Sequence, residues 1–147
     1  MTYVITFRLS APFPLLNQQH RMHFRRYKQL QTRIMHEIAD VTRGRRPAEP
    51  FPFALVRVER HSCGQPDHDG LVGGVKPVLD CLTTPKQLVA RKPTSRARVR
   101  NPMGLGFVVD DSPDHILLEV VHVKTRHADQ CTLVTITEAV RQMQVAA

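Results

Sequence analysis

The hydrophobic period of this chain changes twice, and that change restricts its fold more than any other feature. Tyr3, Ile5, Phe7 and Leu9 recur at every second position, the period of a strand with one buried face. Ala11-Pro12-Phe13-Pro14 stops that run, and Asn17 is placed to cap a helix after it. From about His20 to Val41 the spacing turns helical: Tyr27, Leu30, Ile34, Ile38 and Val41 fall at steps of three and four and form one stripe. Period two returns over Phe53 to Arg60, which predicts a second strand. Val75, Val78, Leu79 and Leu82 fit one face of a short helix, with Pro77 in its first turn, where a missing N–H costs little, and Gly73-Gly74 as a flexible lead-in. Ile116 to Lys124 and Cys131 to Thr137 read as two strands, and Thr125 to Gln130 is short enough to join them as a hairpin. The order β-α-β-α-β-β predicts an α/β (α+β) fold. It is a single small domain over 1–147, a mixed sheet of about four strands with two helices packed on it.

Charge narrows the function. The chain has 21 Lys+Arg against 13 Asp+Glu, a net charge of +8, which suits a polyanionic partner such as nucleic acid. The basic residues gather in two places. Arg21, Arg25, Arg26 and Lys28 lie off the apolar stripe of the long helix. Lys86, Arg91, Lys92, Arg96, Arg98 and Arg100 fill an acid-free loop, about 83–103, expected to be flexible. With no Trp and 5% aromatic residues, stacking on aromatic platforms is not the obvious binding mode. No apolar run approaches the roughly 20 residues that span a bilayer, so no membrane partner is expected. Three widely spaced cysteines, Cys63, Cys81 and Cys131, read as free thiols and point to the cytoplasm.

Asp67, Asp69 and the Asp110-Asp111 pair stand out on so basic a chain. Bare carboxylates repel a phosphate backbone, but a divalent cation between carboxylate and phosphate turns repulsion into attraction. Magnesium takes hard oxygen ligands, often one or two carboxylates plus water and phosphate, and such a site can hydrolyse a phosphodiester. If Asp67-His68-Asp69 is locally extended, both carboxylates fall on one side, and Asp110, at the end of the apolar run Phe107-Val108-Val109, completes a three-carboxylate pocket. Lys76 is either an exposed helix lysine or a positive charge aimed at the scissile phosphate. Asp80 and Asp114 read as turn or capping residues. A zinc site from His61, Cys63 and His68 with Cys131 or His122 lacks the paired spacing such sites show.

Pro66-Asp67-His68-Asp69-Gly70-Leu71, then Lys76-Pro77-Val78-Leu79-Asp80-Cys81-Leu82, then Gly106-Phe107-Val108-Val109-Asp110-Asp111, resemble the RusA family of Holliday-junction resolvases. The opening strand, the Pro-rich turn with Asn17 and the closing Thr135-Ile136-Thr137-Glu138 are also similar. The resemblance implies a homodimeric endodeoxyribonuclease, dependent on Mg²⁺ or Mn²⁺, that nicks branched DNA such as four-way junctions symmetrically in recombination and repair. It implies Asp67, Asp69 and Asp110 as metal-binding catalytic aspartates, Lys76 as the catalytic lysine and Asp111 as an auxiliary acid. Gly70 stands where the family carries Asn, and the spacer from Asp69 to Lys76 is longer than in the family. The alternative is a non-catalytic basic nucleic-acid-binding protein with a degraded nuclease site.

Overall fold

The period-two segments form one sheet in the computed structural model, which describes residues 2–141. Strand β1 is Val4–Leu9, β2 Ala54–Ser62, β5 Ile116–Lys124 and β6 Cys131–Glu138. The alternation does what it predicts. Ile5, Phe7 and Leu9 of β1, Ala54, Val56 and Val58 of β2, and Val134 and Ile136 of β6 are buried on one face. On the opposite face Val4, Leu55 and Leu117 stay exposed, and Arg57 pairs with Glu119 across β2 and β5.

The expected hairpin between the last two strands does not form. β6 lies between β1 and β2, antiparallel to both, and β5 runs parallel to β2 on its far side, giving the order β1-β6-β2-β5. The connection Thr125 to Gln130 steps over the end of β2, with a 3₁₀ turn at His127–Asp129. It is tied down there by Thr125 N–H donating to Ser62 O (3.1 Å) and Cys63 N–H donating to Gln130 Oε1 (3.3 Å). In the central position β6 finds ladder partners on both edges while its Val134 and Ile136 enter the core.

Helices cover one face. The helix expected from about His20 to Val41 is α2, Phe24–Val41, and a separate short helix, α1, Leu16–His20, precedes it. Asn17 sits inside α1 and does not cap it; the Gln18 side chain instead accepts from the Leu15 N–H (2.9 Å). The break falls at residues 21–23, where His23 Nδ1 accepts from Arg25 N–H and starts α2. The stripe on α2 is as predicted, with Leu30, Ile34 and Ile38 buried. Two more helices follow β2: α3, His68–Gly74, and α4, Lys76–Leu82, the latter with Pro77 in its first turn. Gly73 and Gly74 are therefore helical and not a flexible lead-in. A Cβ at Gly74 would lie 2.6 Å from Pro14 O, so glycine is what lets α3 close on the β1–α1 turn.

The basic segment contains a ribbon. β3 (Lys86–Leu88) and β4 (Arg98–Arg100) pair antiparallel, with Lys86 opposite Arg100, and every residue of both strands is exposed. No helix among the described residues is long and apolar enough to cross a membrane, and all three cysteines are free thiols.

Candidate functional site

The site is held in place by a relay of polar contacts under the sheet's helical face. Arg60 of β2 is buried at 8% exposure. Its Nε donates to Phe13 O and a terminal nitrogen to Ser62 Oγ, both at 2.7 Å, with the guanidinium over the Phe13 ring. Burial pulls its pKa down. Arg60 thus pins the β1–α1 turn to the sheet. From α1, buried Gln19 donates both amide hydrogens, to Pro14 O (2.6 Å) in that turn and to Gly74 O (2.7 Å), and so fixes the C-terminal end of α3. Two residues later comes Lys76. Neither Arg60 nor Gln19 carried a signal in the sequence; only burial marks them.

Lys76 opens α4 between two carboxylates. Its Nζ lies 2.7 Å from Asp111 Oδ2 and 2.9 Å from Asp80 Oδ1. The Asp111 contact is a hydrogen bond. The Asp80 contact is close but poorly directed, and leaves the buried Asp80 Oδ1 without a hydrogen-bond donor. Asp80, read from sequence as a turn or capping residue, is therefore part of this cluster, one helical turn after Lys76. Partial burial lowers the Lys76 pKa, but the hydrogen bond to Asp111 and the charges of Asp80 and Asp111 outweigh it and hold the ammonium above its ordinary value. Burial likewise pushes Asp111 up, and Lys76 more than reverses this, so Asp111 ends below its ordinary value. Tyr27 of α2 joins them: burial, then the charge of Asp80, raises its phenol, while Lys76 acts the other way. From its spacing Tyr27 looked like core stripe alone. Burial, helped by Asp80, pushes the neighbouring Cys81 thiol up to about 12, which keeps it protonated and inert.

The remaining acids are arranged differently from the expectation. Asp67 is the N-cap of α3, its carboxylate accepting from Gly70 N–H (3.1 Å). Asp69 is exposed in the first turn, where a negative charge suits the helix dipole. Because the helix begins at His68, Asp67-His68-Asp69 is not the extended stretch expected, and at about 100° per residue the two carboxylates lose the shared side that period two would give. Phe107 and Val108 are buried but form no strand. A single parallel bridge joins Val108 to Phe51, and Val108 N–H donates to Leu82 O at the end of α4. That docking carries Asp111 to Lys76. Asp110 Oδ1 accepts from Asp111 N–H (2.8 Å), and Asp110 lines a cavity of ≈ 250 Å³ with Thr84, Lys86, Arg100 and His115.

Among the described residues no three His, Cys, Asp or Glu side chains converge closely enough to hold a metal ion. The zinc alternative finds no cluster: Cys131 is buried, Cys63 is exposed, His122 meets Ser62 Oγ, and His61 lies 3.4 Å from Glu59. The fit to Mg²⁺ or Mn²⁺ is one of donor type and not of an assembled cage: hard carboxylate oxygens, one of them orphaned at Asp80, with the Lys76 ammonium standing between Asp80 and Asp111.

The basic residues expected to meet nucleic acid are all at the surface. Arg21 lies in the break between α1 and α2, and Arg25, Arg26 and Lys28 are exposed on α2. Lys86, Arg98 and Arg100 belong to the ribbon, and Arg91, Lys92 and Arg96 to the exposed segment joining its strands. An open apolar groove of ≈ 610 Å³ runs from Leu16 and Met22 past Tyr27 to Lys76. No protein-family model matches the chain, and no curated protein matches it.

Proposed function

We propose that this protein is a divalent-metal-dependent endodeoxyribonuclease that nicks four-way junctions and related branched DNA symmetrically, as a homodimer, in recombination and repair in the cytoplasm. The observation that carries the reading is Lys76: a positive charge gripped by Asp80 and Asp111, drawn from separate segments, on a chain of net charge +8. The resemblance of the acidic segments to RusA resolvases supports it and supplies the substrate.

The exposed Arg and Lys of α2 and of the ribbon neutralise backbone phosphates, so binding falls steeply with salt. Lys76, held protonated, serves as a fixed positive charge for a phosphoryl oxygen and not as a base. Asp111 and Asp80 set its direction, and Gln19, bonded to Gly74 O, fixes the end of α3 just before it. Asp67, Asp69 and Asp110, with Asp111 as auxiliary acid, are the carboxylates that would hold Mg²⁺ or Mn²⁺, which would supply an activated water and charge neutralisation at the phosphoryl oxygens.

The test is a labelled four-way junction incubated with Mg²⁺ or Mn²⁺. Paired nicks are expected, lost in Asp69→Asn with junction binding retained. Binding without cleavage in either metal sinks the enzyme and leaves the non-catalytic binding protein. A monomer mass in light scattering at micromolar concentration removes the dimer.

A further inference from the structure

The start of α2 is unusual for a helix. Its first turn contains no acid, and Arg25 and Arg26 put positive charge at the end whose dipole is already positive. Its first residue, Phe24, is 65% exposed and contributes little to the core. The Phe24 ring packs against His23 at a 33° tilt, with centroids 4.6 Å apart, and the Arg25 guanidinium lies 5.9 Å from the ring centroid. Behind the pair opens the ≈ 610 Å³ groove, whose wall includes Phe24, Met22, Val72 and Tyr27 and whose polar end is Lys76. Flat apolar surface, a solvent-facing ring and a rim of cations match one chemistry: a planar base carrying a phosphate. Every nucleobase has a face that stacks on an aromatic ring, but in a continuous duplex those faces are covered. Only a base at a branch point or in a single strand offers one.

We propose that the His23–Phe24 pair and the groove behind it receive one unstacked nucleobase, with Arg21 and Arg25 on the flanking phosphates. This rests on the nucleic-acid reading above and deepens it, because it gives the protein a means of telling branched or single-stranded DNA from duplex. Composition alone pointed away from aromatic stacking. Two packed rings at a cationic helix start suffice where a whole platform is absent.

The chain contains no Trp, so Phe24→Trp creates a single indole, whose emission is distinct from that of Tyr27 in the groove. The full-length variant is titrated in EDTA with a four-way junction, a single strand and a matched duplex, while anisotropy of the labelled DNA reports binding separately. The indole emission is expected to be quenched by the junction and the single strand and left unchanged by bound duplex. Phe24→Ala is expected to weaken junction binding about tenfold and duplex binding hardly at all. Unchanged emission on a junction that anisotropy shows to be bound overturns the base site while leaving the nuclease reading standing. A failure to bind any DNA removes both. A blue shift that tracks protein concentration and not DNA assigns the surface to self-association and overturns the proposal.

Discussion

Replacing Lys76 by Met keeps most of the aliphatic stem and removes the charge between Asp80 and Asp111. The ammonium side chain is 52% exposed, whereas the carboxylates are 17% and 16% exposed. Fully exposed ion pairs contribute roughly 0.2–1 kcal/mol, and hydrogen bonds to buried charged groups roughly 1.5–3 kcal/mol. A half-solvated ammonium with one good hydrogen bond and one misdirected contact falls between, so Lys76→Met should cost about 1–2 kcal/mol at pH 7. The pH dependence comes from both partners. Asp111 is held below its ordinary value, so its contribution is present above about pH 4 and is lost as pH falls through the lower folded value. Lys76 is held above its ordinary value, so its contribution is present below about pH 10.4 and is lost as pH rises through the higher folded value. Urea unfolding of wild type and variant in metal-free buffer should give a stability gap that is full at neutral pH and closes as pH falls below about 4. Lys76→Met combined with Asp111→Asn should cost about 1 kcal/mol less than the sum of the single changes. A gap that is the same at neutral pH and at about pH 3, or strict additivity in the cycle, refutes the bridging role.

Three further outcomes test separate features. Gly74→Ala places a Cβ 2.6 Å from Pro14 O and should lower stability by about 1–3 kcal/mol, seen as a reduced thermal midpoint; an unchanged midpoint means α3 does not close on that turn. A thiol reagent should label Cys63 at once and reach Cys81 and Cys131 only on unfolding, since the first is exposed and the others buried; rapid labelling of three thiols in native protein contradicts that burial. Replacing Lys86, Arg98 and Arg100 together by Ala should flatten the slope of log K against log salt for duplex DNA by up to about 0.9 per charge removed, and an unaltered slope takes the ribbon out of the interface.

The strands and the long helix were legible because alternation and the 3.6-residue stripe are properties of near neighbours along the chain. Ile5, Phe7 and Leu9, and Leu30, Ile34 and Ile38, point inward as their spacing requires. The spacing of Lys76 and Asp80 at i and i+4 was equally present in the sequence, although Asp80 was assigned another role. What local pattern cannot specify is which strand lies beside which. Period two names the buried face and is silent on the neighbour, so a hairpin of β5 and β6 looked as good as the observed insertion of β6 between β1 and β2. The backbone state of Asp67-His68-Asp69 was decided in the same way. Contacts far away in sequence, Gly74 against Pro14 and Gln19 bridging the two, favour a helix where the residues alone allowed an extended strand. Asp111 reaches Lys76 only because Phe107 and Val108 dock against Leu82 and Phe51. The sequence by itself determined the elements, the buried faces and the excess of positive charge. The tertiary structure decided the strand order and which carboxylates meet Lys76, because those choices are made by packing between segments that the chain holds far apart.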